Sequence, residues 1–472
     1  MIIDNLKVKT HLSNLKSQLL EGLKEVEQLI EKECPMQNPE DLEKIENEII
    51  RKTDKLAGLI LSCKIQESLS SDHELNQESS VFINSFPKKM KNQGIRDVEI
   101  CPLKGDPFIV KTQYFSQKAK KDKRKKKRTG CYPTLTLLGI FDGCTPSLSS
   151  DISLMATALS SFEEAKTVLH ERGRDIDIKV IRNITKRFSE RSRLVQLSES
   201  AEFTESVAGC RVVVSTDGGR IRIREKKRGP KTKKGRNHYK GSWREPKVLI
   251  IYVVQEDGRM DRSFAPFIDG TLKGPDAIFS MIQYYLEKIG VSKADKILFV
   301  ADGAHWIWNR VAKLMNSMGV QKWYELLDFY HAVEHLGKIS ELQKGWKKGE
   351  KTKWVKRNRN LLLQGKSGEV IDEIRRVCKG KKGKKIKRER EYFIRNEKRL
   401  CFNDRKSEGL PIGSGAMESA IRRVVNLRLK SASTYWLKET AEEMLMLRSY
   451  FKSGRWGMLK MLAFSGKALM EG

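Results

Sequence analysis

Near the start of the chain, apolar residues recur every three or four positions from Leu12 onward. This spacing predicts an amphipathic helix, because residues three and four apart share one helical face. Asn38-Pro39 predicts the start of a second helix, since asparagine caps free N–H groups and proline suits the first turn. Residues 1–95 are therefore expected to form a helical hairpin. It is either a helix pair packed on itself or an arm for dimerisation or DNA-end binding, with 70–95 as a polar linker.

A different pattern, a short β-branched run that ends in an aspartate and glycine, appears twice. Val212 to Thr216 leads into Asp217-Gly218-Gly219, and Ile297 to Ala301 leads into Asp302-Gly303. Apolar runs of this length predict buried strands, and the glycines permit a sharp turn after each acid. An aspartate at the end of a buried strand is costly unless something positive meets it, and a metal ion is the usual partner.

The elements predicted around these two strands define the fold class. A strand with one apolar and one basic face spans Arg220 to Arg224, and an apolar strand follows from Lys247 to Val254. A helix, the second aspartate strand, another helix and a strand come next. This order predicts an α/β fold with a mixed sheet, in which three antiparallel strands are followed by α/β crossovers.

Two predicted helices upstream of the sheet are separated by a short glycine-containing turn. The first opens with a capping-box pattern, Ser161 to Glu164, and Arg172-Gly173-Arg174 ends it. Helix, glycine turn and basic helix outline a helix-turn-helix, a shape that many helix pairs share. The basic residues of the second helix, which we expect to contact DNA, are Lys179, Arg182, Lys186 and Arg187.

Charge strengthens the case for a polyanionic partner. The chain has 472 residues, and its 92 Lys and Arg against 60 Asp and Glu give a net charge of +32. Nucleic acid is the first candidate and an anionic membrane surface is the other. A nearly continuous basic run around Lys123, Arg124 and Lys125 is expected to form a solvated loop that grips phosphates by releasing counterions.

Targeting signals and cysteines bear on the compartment. No apolar run is long enough to span a bilayer, and the first residues lack the pattern of a signal peptide. The eight cysteines form no CxxC pair, which argues against a zinc ribbon or a disulfide framework. We therefore expect a cytoplasmic protein.

The predicted organisation has six segments. In order they are a helical hairpin region, a short β-containing segment with a basic loop, a helix-turn-helix-like region, the first part of an α/β core, a basic all-helical insertion, and the final helices of the core. Their expected bounds are 1–95, 96–131, 132–205, 206–331, 332–409 and 410–472.

Three acids are the candidate chemistry. Asp217 and Asp302 close the first and fourth predicted strands, and Glu418 stands in the first turn of a late helix after a glycine-rich loop. Each acid alone is compatible with a salt bridge or a helix cap. Together, in a highly basic chain, they are expected to hold two Mg²⁺ (or Mn²⁺) ions about 3.5–4 Å apart, an arrangement that stabilises displacement at phosphorus.

A competing motif is His331-Ala332-Val333-Glu334-His335, which has the H-x-x-E-H spacing of inverted zinc proteases. No downstream acid stands out as a third zinc ligand, and a peptidase has no use for the strong positive charge. His335 is therefore expected to pack or to face solvent.

Three local strings carry a more specific resemblance. They are Val300-Ala301-Asp302-Gly303-Ala304-His305-Trp306-Ile307-Trp308, Leu327-Asp328-Phe329-Tyr330-His331 and Pro411-Ile412-Gly413-Ser414-Gly415-Ala416-Met417-Glu418. These strings resemble bacterial insertion-sequence transposases of the Kra type, a group related to the Mutator-like superfamily. The resemblance covers about residues 130–450.

The resemblance implies an RNase H-like core with the catalytic DDE triad Asp217, Asp302 and Glu418, interrupted by an all-helical insertion. Asp328 and His331 match the (Cys/Asp)-x-x-His element of Mutator relatives, whose histidine is thought to lie near the site. His305 is a further accessory candidate. The N-terminal 95 residues match no part of the pattern.

The expected function is that of a DNA transposase, which binds terminal inverted repeats and catalyses Mg²⁺-dependent phosphodiester hydrolysis and 3′-OH strand transfer. Alternatives are an RNase H-like nuclease or resolvase, and a catalytically inactive DNA-binding derivative. The expected partner is double-stranded DNA near the bacterial nucleoid, with a homo-oligomer formed on DNA and no nucleotide cofactor or membrane. Further DNA contacts are expected from Arg222, Arg224 and Arg422.

Overall fold

A computed structural model describes the chain in two compact units. The described residues are 2–117, 130–198, 203–233, 235, 237–320, 322–431 and 434–465. Unit 1 comprises Met1–Ala201 with Lys460–Gly472, and unit 2 comprises Glu202–Leu459. The basic run with Lys123, Arg124 and Lys125 lies outside the described residues, so its DNA contact stays a prediction.

Unit 1 is mostly helical and carries a small antiparallel sheet. Its helices before the sheet of unit 2 are α1 (Ile2–Glu31), α2 (Pro39–Ser71), α3 (His73–Asn84), α4 (Pro133–Leu137), α5 (Pro146–Ala158), α6 (Phe162–Glu171) and α7 (Ile178–Leu197). Its strands are β1 (Met90–Ile100), β2 (Phe108–Gln117) and β3 (Gly130–Cys131), in the order β1-β2-β3.

The predicted helical hairpin is confirmed, because α1 packs against α2. Asn38 caps α2 through a hydrogen bond that its side-chain oxygen accepts from the Asp41 N–H at 3.0 Å. The prediction that 70–95 is a linker is wrong. Helix α3 occupies His73–Asn84, where Leu75 and Phe82 bury one face of an otherwise polar helix, and β1 begins at Met90.

The two helices of the predicted helix-turn-helix are also present, as α6 and α7. Ser161 caps α6 by accepting the Glu164 N–H at 3.0 Å. Ile181 and Ile184 are buried on one face of α7. The basic residues expected to contact DNA are exposed on the other faces: Lys179, Arg182, Lys186 and Arg187. Arg187 pairs with Asp142, so this guanidinium also serves the unit's own structure.

Unit 2 is built on a five-stranded mixed sheet. The strands of unit 2 in chain order, including two that lie outside this sheet, are β4 (Arg211–Gly218), β5 (Ile221–Lys226), β6 (Tyr239–Arg244), β7 (Lys247–Val254), β8 (Phe267–Thr271), β9 (Lys296–Ala301) and β10 (Trp323–Leu327). The order across the main sheet is β10-β9-β4-β7-β8. β7 is antiparallel to β4 and β8, whereas β9 runs parallel to β4 and β10.

One strand differs from its prediction. The segment Arg220 to Arg224 does not join the main sheet but forms β5 of a separate hairpin with β6. Only Ile221 and Ile223 are buried along β5, whereas every residue of β7 and β8 is buried, as a strand covered on both faces requires. The third antiparallel strand of the sheet is therefore β8.

The helices of unit 2 cover the sheet and form the insertion. They are α8 (Pro275–Lys288), α9 (His305–Ser317), α10 (Phe329–Glu341), α11 (Lys348–Leu363), α12 (Ser367–Cys378), α13 (Lys384–Arg395), α14 (Phe402–Ser407), α15 (Gly415–Ile421) and α16 (Lys438–Lys452). Short 3₁₀ turns occur at Val291–Lys293 and Glu397–Arg399, and α15 continues into a π-helix at Arg422–Asn426. The helical character of the insertion at 332–409 is confirmed, since this fully described stretch contains no strand.

The chain returns to unit 1 at its end, through the last turns of α17 (Trp456–Phe464). Phe464 stacks on Phe141 with 6.5 Å between ring centroids and meets Phe188 edge-on at 5.7 Å. Arg191 donates to the Ala463 carbonyl at 3.1 Å. In the part of the chain that the structure describes, no helix is both long and apolar enough to cross a membrane.

Candidate active site

The parallel pairing of β4 with β9 brings Asp217 and Asp302 to one edge of the sheet. Val214 is in register with Phe299, and each aspartate follows its paired residue by three positions. The runs before both acids are fully buried, which fixes these strands at the centre of the sheet. Carboxyl ends of parallel strands meet at one edge, where sites commonly form. Two of the three predicted acids are thus neighbours.

Asp217 is a partly buried carboxylate. Burial raises the pKa of Asp217 to about 6; the Gly218 N–H, 2.6 Å from Oδ1, opposes the rise, while the negative charge of Asp302 adds to it. His331 acts in the opposite direction to Asp302, and Glu245 in the same direction. An ionised Asp217 is therefore poorly compensated by the protein, and a bound cation would stabilise it.

We expect Asp217→Asn to stabilise the protein in chelator at neutral pH. Below about pH 4 the carboxyl is protonated in both folded and unfolded states, and the substitution has little effect. Between about pH 4 and 6 the unfolded state ionises first, so the wild type loses stability relative to the variant, by on the order of 1–2 kcal/mol. Urea unfolding across pH 4–8 measures this difference.

Asp372→Asn is the control, because the Asp372 side chain is 75% exposed. Its difference from wild type is expected to stay small across the pH range. A stability difference for Asp217→Asn that is absent at pH 7, or largest at pH 4, would contradict the account of Asp217.

The turn that carries Asp302 is held by its own backbone and by α13. Asp302 Oδ1 accepts the Ala304 N–H at 3.0 Å, and its carbonyl oxygen accepts the Trp308 indole N–H at 2.7 Å. The Tyr392 ring lies so close to Gly303 that a Cβ there would overlap it. Glycine is thus required at 303 by space, and the insertion reaches the turn that orients Asp302.

Replacing Gly303 with alanine is expected to cost about 1–3 kcal/mol of folding free energy, the usual penalty for overpacking. In a Tyr392→Ala background the same glycine substitution should cost less, because the two sites are in contact and their effects are not additive. Gly337→Ala in α10, where nothing lies within 4 Å of the new Cβ, is the matched control and should be neutral or stabilising. Equal losses at both glycines would rule out the contact with Tyr392 as the cause.

Glu418 reaches the same region from α15, which packs on β4 and β7. Met417 and Ala420 are buried, whereas the Glu418 side chain is 60% exposed. Its Oε1 lies 4.0 Å from His331 Nε2. Since His331 also acts electrostatically on Asp217, it is the residue that connects Glu418 with the aspartate pair.

The side chains of Asp217, Asp302 and Glu418 are not close enough to one another for all three to hold one metal ion. Among the residues that the structure describes, no group of three or more His, Cys, Asp or Glu is close enough to hold a metal ion. The donor set nevertheless suits Mg²⁺ or Mn²⁺, which prefer carboxylate oxygens. Asp217 and Asp302 lie on neighbouring strands, and the exposed Glu418 side chain has room to turn towards them.

Asp328 is a buried structural acid at the N-terminus of α10. Its Oδ1 accepts the His331 N–H at 2.7 Å, and its Oδ2 accepts the Ser414 N–H at 2.5 Å and the Ser414 hydroxyl at 2.6 Å. The Phe329 N–H donates to the Ile412 carbonyl at 3.0 Å. These bonds tie the glycine-rich loop before α15 to α10, and so fix Glu418 relative to His331.

Two histidines contact α13. His305 Nδ1 lies 3.2 Å from an Arg395 nitrogen of α13. His335 Nδ1 lies 2.5 Å from the buried Glu389, and its ring stacks on Tyr392 at 3.7 Å between centroids. Burial lowers the pKa of His335, although Glu389 opposes this. His335 therefore packs against α13, in agreement with the packing role expected for it.

A buried lysine near the aspartate pair was missed by the sequence interpretation. Lys247 opens β7 opposite Gly218 and is 5% exposed. Its Nζ lies 2.7 Å from Glu245 and 4.0 Å from the centroid of the Trp306 ring. A lysine that begins an apolar strand was the only signal for it. The other predicted DNA contacts in this unit, Arg224 and Arg422, are exposed, and Arg222 is half-buried.

Comparison with known proteins identified no relative of this chain. No family model matches the chain, and no curated protein or solved structure matches it.

Proposed function

We propose that this chain is a DNA transposase with an RNase H-like catalytic core. The observation that carries the proposal is the placement of the acids on the sheet. Counting along the main sheet in chain order, Asp217 ends the first strand, Asp302 follows the fourth, and Glu418 lies on a late helix that packs on the first strand. This is the order of the DDE acids in the resemblance described above.

The residues that would hold two Mg²⁺ ions are Asp217, Asp302 and Glu418. Bound there, the ions would supply activation of the attacking oxygen and stabilisation of the leaving oxygen. The protein's own share is positioning. Asp328 fixes the loop before Glu418, Tyr392 packs on the turn of Asp302, and His331 places an imidazole 4.0 Å from Glu418.

The reaction proposed needs no further co-reactant. Water attacks the phosphodiester at the element end, the P–O bond to the leaving oxygen breaks, and a 3′-OH is released. That hydroxyl then attacks a target phosphodiester, so that one P–O bond forms as another breaks. The net charge of +32 supports a DNA substrate, because phosphate neutralisation provides much of the affinity for DNA. Pairing two element ends calls for a homo-oligomer on DNA.

The test uses the full chain, Mg²⁺ and DNA that carries the inverted repeats flanking the coding sequence. End-specific cleavage followed by joining to target DNA supports a transposase. Cleavage of any DNA without joining would identify a nuclease or resolvase, and binding without cleavage would identify an inactive DNA-binding derivative. Either of these two outcomes overturns the proposal.

A further inference from the structure

The β5–β6 hairpin leaves the main sheet at the edge that carries the aspartate pair. Only Gly218, Gly219 and Arg220 separate Asp217 from Ile221, where β5 begins. The Gly219 N–H donates to the Pro246 carbonyl at 2.9 Å, which closes the base of the hairpin. Arg222 is five residues from Asp217 and therefore lies within about 18 Å of it. Trp243 is in register with Arg222 on the neighbouring strand, about 5 Å further away.

One face of this hairpin is both aromatic and basic. Arg222 is paired with Trp243, Arg224 with Gly241 and Lys226 with Tyr239, and these pairs point to the same side because side chains alternate along a strand. Arg220 and Arg222 both lie over the Trp243 ring, at 5.0 and 5.2 Å from its centroid. We call Arg220, Arg222, Arg224, Lys226, Tyr239 and Trp243, together with Tyr435, the aromatic–arginine face.

Tyr435 joins the face from a distant segment. The Arg224 N–H donates to the Trp436 carbonyl at 2.8 Å, and the Trp436 N–H donates to the Arg222 carbonyl at 2.9 Å. Tyr435 then covers Gly241, where a Cβ would lie only 2.8 Å from its ring, and meets Tyr239 at 5.5 Å between centroids. The hairpin thus gains a third aromatic ring.

One residue of the aromatic–arginine face, Arg222, stabilises the hairpin itself, whereas other residues of the face are exposed. Arg222 donates to the Tyr435 hydroxyl and to the Ser431 carbonyl, both at 3.1 Å, so its guanidinium holds the joining segment. By contrast, Trp243 and Tyr239 are each 50% exposed. Arg220, Arg224 and Lys226 are also exposed. The fold of the hairpin does not require such large rings to be half exposed among cations that face the solvent.

We propose that the aromatic–arginine face binds an unpaired DNA strand, which rests on the proposed function and deepens it. Bases stack on the open faces of Trp243 and Tyr239, and the phosphates contact Arg220, Arg224 and Lys226. Unpaired bases expose flat faces that a duplex hides, and alternating rings and cations are how proteins hold single strands without reading sequence. The charge of the face, which includes no acid, favours a polyanion over a peptide.

The hairpin follows directly on the strand that carries Asp217, and this connection indicates which part of the DNA the face would bind. A strand that lies along β5 is directed towards Asp217, because β5 starts four residues after it. The face would therefore hold the few nucleotides next to the phosphate being cut, once they have separated from their complement. Specificity for the element end must then come from other surfaces, since stacking is tolerant of sequence.

The binding test uses the full chain in EDTA with a fluorescent 20-nucleotide single strand and the same sequence as a duplex. Trp243→Ala/Tyr239→Ala is expected to weaken single-strand binding at least about fivefold, and duplex binding much less. Trp243→Phe should retain most of the affinity because it keeps a ring. A strand of abasic sites should bind the wild type as weakly as the normal strand binds the double variant.

Two controls address charge and folding. Arg224→Ala removes one cation of the face and should weaken single-strand binding. Arg259→Ala removes an equal charge from a side chain that is 86% exposed in the loop between β7 and β8, and should change single-strand binding little. Circular dichroism and the unfolding midpoint show whether each variant folds. If a variant misfolds, photocrosslinking of an iodouracil strand to the wild type still decides, with the adduct expected in the peptide containing Tyr239 to Arg244.

The proposal is overturned if the double variant binds the single strand as tightly as wild type, or if the adduct maps only elsewhere. It is also overturned if the double variant changes self-association alone, which would make the face a protein interface. Because binding is measured without Mg²⁺, failure of DNA cleavage in the transposase test leaves this result intact, and the reverse also holds.

Discussion

Glu418→Gln is expected to lower Mg²⁺-dependent cleavage of element ends by about a thousandfold or more. The substitution keeps the shape of the side chain but removes the negative charge, so the proposed metal sites would lose one of their three carboxylates. A loss of this size equals that seen when a main group stabilising transition-state charge is removed. DNA binding in EDTA should be unchanged, which separates chemistry from affinity. Single-turnover cleavage with saturating protein measures the effect.

Glu334→Gln provides a matched control. Both glutamates face the same imidazole, since Glu334 lies 3.6 Å from His331 Nδ1 and Glu418 lies 4.0 Å from Nε2. Both side chains are about 60% exposed. Glu334 is not a proposed metal ligand, so its loss should lower cleavage less than about tenfold. Equal losses for the two variants would mean that only the charge near His331 matters, and Glu418 would lose its place in the triad.

The second large effect is on folding. Asp328→Ala is expected to destabilise unit 2 by about 3 kcal/mol or more, because three donors lose a charged acceptor in a fully buried place. The His331 N–H, the Ser414 N–H and the Ser414 hydroxyl would all be left without it. Urea unfolding, followed by the tryptophan fluorescence of the chain, gives the change in free energy.

Smaller steps at the same site test the cause. Ser414→Ala removes one of the three donors and should cost about 1 kcal/mol. Asp372→Ala, at an exposed aspartate of α12, should cost less than about 0.5 kcal/mol. If Asp328→Ala were as mild as Asp372→Ala, the bonds to Ser414 would not be what holds the loop before Glu418.

The sequence was sufficient to place Asp217 and Asp302, because the signal for each is local. A β-branched run predicts a strand, the following acid and glycine mark its end, and parallel neighbours end together. The helices α1, α2, α6 and α7 were equally accessible through their apolar periodicity and caps. In each case the residues that decide the structure lie within one element.

Contacts between distant segments could not be predicted from the pattern of apolar and polar residues. Nothing local distinguishes β5, an alternating strand of a side hairpin, from a strand of the main sheet, because the difference lies in what covers its second face. The short strand β8, with Asp269 and Gly270 in its centre, lacks the usual composition of a strand. Similarly, Asp328 matched a motif near the site, but its bonds to Ser414 depend on a loop far along the chain.

The return of the chain to unit 1 has a consequence for biosynthesis. Phe464, which stacks on Phe141 and meets Phe188 edge-on, emerges from the ribosome only after all of unit 2, roughly 260 residues later than the N-terminal part of unit 1. At ~5–20 residues per second this delay is about 13–50 seconds. During that interval the aromatic cluster of unit 1 lacks one of its rings. We therefore expect the nascent chain to bind chaperones until Phe464 has been synthesised.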